Sequence, residues 1–193
     1  METLAKLFGS EVKVKIMRLF LFNSDKTFDV NEIVDRVKSN HSKVRREISI
    51  LEKIDFVKRR VSQKSRNGYA FAMNTQFPYL LPLQNFLINA EPLHSKELIK
   101  KITKLGSIKM LIVAGVFIQD PESRADILIV GDGVKKGVLE NLMKDLEAEI
   151  GKELKYAYFT TDDFKYRLSM FDKLTRDILD YPHRKILNKL GIE

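Results

Sequence analysis

"HSKVRREISILEKIDFVKRRVSQKSRNGYAFAMN", residues 41–74, carries two periodicities back to back. From 41 to 54, Val44, Ile48 and Leu51 recur at steps of four and three, which gathers them on one face of a helix. Ser42, Arg45, Arg46 and Ser49 fall on the opposite face, with Lys43 beside them. After Asp55 the pattern changes. Two short β-prone runs, about 56–62 and 69–74, flank a polar tip from Gln63 to Gly68, where Asn67-Gly68 signals a turn. Arg59 and Arg60 lie on the first run of this hairpin, Lys64 and Arg66 at its tip.

Upstream, residues 4–22 place Leu7, Val14, Met17 and Leu21 close to one face and predict a single helix. NSDKTF (23–28) breaks it. Asp29 stands three residues before Glu32, a capping-box spacing, and opens a second helix through Val30, Ile33, Val34 and Val37. KSNH (38–41) makes a short polar turn. Three helices followed by a basic hairpin is the order of a winged helix-turn-helix. A polar helix face is by itself what any solvated helix presents; the face, the helix order and the basic hairpin together point to DNA.

Residues 7–74 resemble the small winged helix-turn-helix domains of bacterial and archaeal repressors of the ArsR and MarR type. Helix 41–54 is then expected in the major groove of double-stranded DNA, where Arg45 and Arg46 reach guanine edges or phosphates. Ser42 and Ser49 donate to phosphates beside them, and Arg59, Arg60, Lys64 and Arg66 on the wing (58–68) track the backbone or enter the minor groove. Winged helices also serve in protein contacts, which is an alternative use.

The charge divides in the same sense. Residues 1–75 hold 16 Lys and Arg against 9 Asp and Glu, a net of +7; residues 76–193 hold 18 against 17, a net of +1. A basic first part and a nearly neutral second part imply different partners for each. With 44% hydrophobic and 31% charged residues among 193, a packed core is expected rather than disorder. No apolar run is long enough for a membrane span, and METLAKLFGSEVKVK is no export signal, so a cytoplasmic protein without membrane partners is expected. Cysteine is absent, which excludes disulfides and thiolate zinc sites; His41, His94 and His183 are too far apart in sequence to form a ligand-spaced cluster. No cofactor is implied.

Domain boundaries are expected at 1–75, 76–93 and 94–193. The middle stretch, QFPYLLPLQNFLINAEP (76–92), is too apolar for a free linker. A helix starting near Pro82 either packs between the domains or pairs with its copy in a homodimer, as two half-sites would require. The surface used for such a dimer is not legible.

The last domain opens with a helix after Ser95, ended by Gly106. SIKMLIVAGVFI (107–118) and ADILIVGD (125–132) are strands, and residues 134–150 form a helix with Val138, Leu142, Leu146 and Ile150 at steps of four. LKYAYFT (154–160) is a third strand. Helices are expected from Asp162-Asp163 to about Phe171, from 173 to 180, and over 183–190. The fold class is therefore α+β, with a small mixed sheet in the second part.

The hairpin AGVFIQDPESRADILIVGD (114–132) resembles that of the DNA-polymerase-β-like nucleotidyltransferase superfamily in its minimal form. Active members end the first strand in Gly-Ser and carry two carboxylates at i and i+2 on the next, where both face one side and bridge two Mg²⁺ ions. Gly115 is present here, but Val116 replaces the serine. Asp126 matches the first carboxylate, and Leu128 stands where its partner would be. The third strand has no carboxylate. Asp126 is instead expected to bond turn amides, and Asp162 and Asp163 to serve as an acidic first helical turn. As a two-part architecture, nearly the whole chain resembles predicted transcriptional regulators that fuse a winged helix-turn-helix to a degenerate nucleotidyltransferase domain. The resemblance implies no enzymatic activity, with the second part serving oligomerisation or sensing an unknown small ligand or protein partner. An active Mg-dependent nucleotidyltransferase is the opposing expectation.

Overall fold

The computed structural model describes residues 2–63, 65, 67–88, 95–120 and 122–192. Among these the chain forms nine α-helices, a short 3-10 turn and seven strands in two small sheets, an α+β protein. It divides into two compact units. The first is Met1–Pro92 together with Asp145–Lys152, and the second is Leu93–Lys144 with Glu153–Glu193. Among the described residues no helix is long and apolar enough to cross a membrane.

The first unit begins with α1 (Glu2–Phe8) and α2 (Glu11–Phe22), where one helix over 4–22 was expected. The break has a local cause. Gly9 takes φ +75°, and Ser10 caps α2 by accepting from Lys13 N–H at 3.2 Å. The shift in register leaves Leu7, expected on the buried face, 65% exposed. Val14, Ile16, Met17, Leu19, Phe20 and Leu21 of α2 are buried. After β1 (Thr27–Phe28), the capping box closes as the spacing requires: Asp29 Oδ1 accepts from Glu32 N–H at 2.9 Å, and Glu32 Oε2 accepts from Asp29 N–H at 2.7 Å. It starts α3 (Val30–Val37), which ends on Lys38 in the left-handed region.

Asn40 then caps α4 (His41–Lys53) by accepting from Lys43 N–H at 2.9 Å. Val44, Ile48 and Leu51 are buried. Strands β2 (Val57–Val61) and β3 (Tyr69–Met73) form an antiparallel hairpin, and β1 adds to the far side of β3. Helix α5 (Leu80–Leu87) carries Pro82 in its first turn. Leu87 is buried, and Leu80, Leu83 and Ile88 pack against the core of α2, α4 and the sheet, so the apolar stretch belongs to this unit.

The second unit contains α6 (Ser95–Ile102), β4 (Ser107–Val113), a 3-10 turn (Gly115–Phe117), β5 (Ile127–Asp132), most of α7 (Lys136–Ile150), β6 (Tyr156–Phe159), α8 (Thr161–Ser169), α9 (Lys173–Asp180) and β7 (Arg184–Asn188). The sheet order is β6-β5-β4-β7, with β5 and β6 parallel and the other pairs antiparallel. The parallel pair is joined through α7, the kind of crossover such a pair requires. Met110, Ile112, Leu128, Val130, Phe159, Phe164 and Ile178 make one buried cluster. Two expectations are corrected. Residues 183–190 are not a helix: β7 pairs with β4, from Met110↔Asn188 to Val113↔Arg184, so pairing at an open sheet edge decides the conformation of a stretch too short for its own propensity to do so. Val138 is 50% exposed, while Leu139, Met143, Leu146 and Ile150 are buried.

Residues 145–152 bring a polar cluster into the first unit. Arg18, 2% exposed, donates from Nε to Leu87 O at 3.0 Å and from Nη1 to Glu149 O at 2.9 Å. Burial pulls its guanidinium below the usual arginine pKa, and the Glu149 carboxylate opposes this. Asn23 Nδ2 donates to Leu19 O and Gly151 O at 2.8 and 3.0 Å. Gly151 takes φ +89°, and a Cβ there would stand 2.6 Å from Arg18 C and Leu19 N. Only glycine fits so close to the α2 backbone.

Candidate nucleic-acid interface

The cap on Asn40 and the buried row Val44, Ile48 and Leu51 fix how α4 is rolled on the core. As expected from the spacing, Ser42, Lys43, Arg45, Arg46 and Ser49 are exposed on its outer side. One charged residue of α4 turns inward instead. Glu47 is 7% exposed and lies 3.5 Å from Lys13 Nζ, which also donates to Phe8 O at 3.2 Å. Glu47 thus ties α4 to α2.

Arg59, expected to be one of the DNA-contacting cations, is held within the unit. Its Nε lies 2.7 Å from Glu52 Oε1 and its Nη2 donates to Glu52 Oε2 at 3.0 Å, a bidentate pair. The guanidinium also covers the Tyr69 ring at 4.7 Å and reaches the Phe71 ring at 5.9 Å. One side chain therefore fastens β2 to the last turn of α4 and to β3. Arg60 is exposed on the same strand. Lys64 and Arg66 lie outside the described residues. Between α4 and the hairpin runs a groove of about 490 Å³, lined among others by Arg45, Ser49, Glu52, Arg59, Asn67 and Tyr69. Glu52, Tyr69 and Phe71 are the members of this surface that sequence reasoning missed. The hairpin register, with Arg59 opposite Phe71, is what brings them together.

The second candidate site, the hairpin 114–132, is built around Asp126. It is 5% exposed, and both carboxylate oxygens accept backbone N–H groups: Oδ1 from Val116 and Oδ2 from Lys155, each at 2.8 Å. Its own backbone is bonded on both sides, Asp126 N–H to Lys155 O at 2.6 Å and Ala114 N–H to Asp126 O at 2.9 Å. Gly115 opens the 3-10 turn at φ +51°, with the Asp126 carboxylate where its Cβ would be. Leu128 is 1% exposed, inside the core cluster of the sheet. Asp126 therefore spends its acceptors on joining the β4–β5 connection to the start of β6, as the amide-bonding expectation has it.

Other carboxylates of the unit are also tied down. Asp132, at the end of β5, accepts from Thr161 Oγ1 at 2.7 Å and from Thr161 N–H at 3.0 Å. The threonine hydroxyl first, and its amide second, hold the Asp132 carboxyl below the usual range. Asp162 and Asp163 lie in the first turn of α8, behind the Thr160 cap, and Asp163 pairs with Arg167 at 3.0 Å. Among the described residues no group of three or more His, Asp or Glu side chains is placed to hold a metal ion.

Comparison with known proteins finds no matching family model, no matching curated protein and no matching solved structure.

Proposed function

We propose that the protein is a DNA-binding transcriptional regulator whose first unit acts as a winged helix-turn-helix. Helix α4 enters the major groove with Arg45 and Arg46 toward base edges and Ser42, Lys43 and Ser49 toward phosphates. The β2–β3 hairpin is the wing, and Arg60 follows the backbone. The observation that carries this reading is the outward face of α4 standing beside a hairpin that the Arg59–Glu52 pair fastens to the same helix. A recognition helix and wing presented as one rigid surface need little reordering on binding.

The second unit is read as a nucleotidyltransferase-like scaffold without transfer activity. Two observations support this. Asp126 has both oxygens engaged by backbone N–H groups, and Leu128 is buried where a second metal carboxylate would be needed.

The test is duplex binding across a salt series, with a site selected from a random pool. Several phosphate contacts make affinity fall steeply with salt. Replacing Arg45 and Arg46 by alanine weakens the selected site by roughly 1–3 kcal/mol per lost base contact. Unchanged affinity in the double variant would remove α4 from the interface. For the second unit, label transfer from a nucleotide with Mg²⁺, abolished by Asp126→Asn, would overturn the scaffold reading.

A further inference from the structure

Helix α8 ends on a residue that the local backbone does not favour. Asp172 N–H donates to Arg167 O at 2.9 Å and Phe171 N–H to Leu168 O at 3.3 Å, the paired bonds of a Schellman ending. Phe171 occupies the left-handed position of that motif, at φ +54°, where glycine is the usual residue. The other non-glycine residues with positive φ among the described residues, Lys38, Asp55 and Gln119, are polar. Phe171 is 73% exposed, with the Arg176 guanidinium 5.8 Å from its ring centroid. On the same two helices and just after them, Tyr166 is 64% exposed, Met170 63%, Leu174 37% and Tyr181 62%. With side chains of about 150–250 Å² each, these five expose on the order of 600 Å² of apolar surface. That sum is most of the roughly 800 Å² that each partner gives to a stable dimer.

Helix α9 adds a second oddity. Lys173, Arg176, Asp177 and Asp180 fall at i, i+3, i+4 and i+7, opposite the buried Thr175 and Ile178, and line a shallow groove with Phe171 and Tyr181; Lys173, Arg176 and Asp180 are exposed, while the Asp177 side chain is 17% exposed and paired with Arg124. Both end charges oppose the helix dipole, with a lysine in the first turn and an aspartate in the last. The Arg176–Asp180 pair at 3.4 Å also runs in the less favourable order along the helix.

Reversed, the charge order is the complement of itself. A twofold axis beside the middle of α9 that sets it antiparallel to its own copy puts Lys173 opposite Asp180 and Arg176 opposite Asp177, twice over. Arg124 lies 2.8 Å from Asp177 Oδ2, an oxygen without solvent exposure, so the incoming arginine would meet that carboxylate at Oδ1. We propose that this α8–α9 surface binds a second copy of the chain, making an isologous dimer with Phe171 and Tyr181 at its apolar ends. A self-complementary charge stripe flanked by apolar rings fits a copy of itself better than a partner of one sign. The proposal stands whether or not the chain binds DNA.

The experiment is sedimentation equilibrium of the full chain without DNA. The parent is expected to be a reversible dimer. Lys173→Glu and Asp180→Lys each place like charges in opposition twice per dimer, and each is expected to raise the dimer Kd about tenfold or more. Both changes suit the helix dipole, so neither should lower Tm at a concentration where the parent is dissociated. Mixed in equal amounts, the two variants should form a heterodimer near parental affinity, because every opposed pair is again of opposite sign. Phe171→Gly should weaken the dimer while leaving the monomer as stable or more so, judged at a concentration where the parent is dissociated. A parent that stays monomeric at every concentration, single reversals that dimerise like the parent, or a mixture that fails to recover would each overturn the proposal.

Discussion

The carboxylate of Asp126 occupies the position that a Cβ on residue 115 would require. Gly115 is thus fixed by two demands, a positive φ and the space its neighbour takes. Gly115→Ala is expected to cost about 2–4 kcal/mol of stability by urea unfolding, through backbone strain and displacement of the carboxylate. Asp126→Ala, which leaves the Val116 and Lys155 amides without acceptors, should cost a similar amount, about 1–3 kcal/mol for each orphaned amide. Asp126→Asn keeps one acceptor and should lose less. A neutral Asp126→Ala would show that the carboxylate does not hold the hairpin.

Arg59 and Arg60 are neighbours on β2 with different tasks. If the first unit binds DNA as proposed, exposed Arg60 can approach phosphate, and Arg60→Ala should reduce the slope of log affinity against log salt by about 0.9. Arg59 is paired with Glu52 and stacked on Tyr69. Arg59→Ala should weaken DNA binding with little change in that slope, because the loss is of wing position rather than of a phosphate contact. Glu52→Gln should mimic part of this loss. Equal slope changes in the two arginine variants would place both on the backbone.

The Asp132 pair with Thr161 makes a pH-dependent contribution. Its carboxyl is held below the ordinary range, so the stabilisation is complete above the unfolded value of about 4 and is lost as pH falls through the lower folded value. Thr161→Val removes the hydroxyl donor and should raise the Asp132 pKa in a carboxyl-carbon NMR titration, while Thr161→Ser should leave it low. A titration unchanged by valine would transfer the effect to the Thr161 amide alone.

Gly151 lies against the backbone of α2 at a positive φ. Gly151→Ala should destabilise the first unit by about 3 kcal/mol, since neither the strain nor the overlap is relieved by a side-chain rotation. Gly137, where an added Cβ meets nothing within 4 Å, is the control: Gly137→Ala within α7 should be neutral or stabilising by up to about 1 kcal/mol.

The parts of the fold that sequence made legible are those that one element decides alone. The Asp29–Glu32 box, the buried row of α4, the Asn67-Gly68 turn and the three strands of the second sheet up to β6 follow from local spacing. Residues 4–22 misled because the apolar period runs across the Gly9-Ser10 break. Residues 183–190 misled because β4 supplies the hydrogen bonds that make a strand of them. For the candidate interface, periodicity found the exposed face of α4, but not the inward turn of Glu47 or the capture of Arg59. Both depend on groups from other elements: Lys13, Glu52 and Tyr69. Asp126 was legible as an amide acceptor because Leu128, two residues on, leaves it without a second carboxylate on the same side of the strand.

The first unit borrows Asp145–Lys152 from far along the chain. On the ribosome, α4 and its arginines are made well before Glu149 and Gly151, so Arg18 and Asn23, which also donate to Leu87 O and Leu19 O, wait for these later carbonyl acceptors through the synthesis of more than half of the second unit. A fragment cut after residue 88 would keep the whole α4 face yet lack the Glu149 and Gly151 acceptors of Arg18 and Asn23, and would need those eight later residues, supplied even as a separate peptide, to regain its full melting temperature.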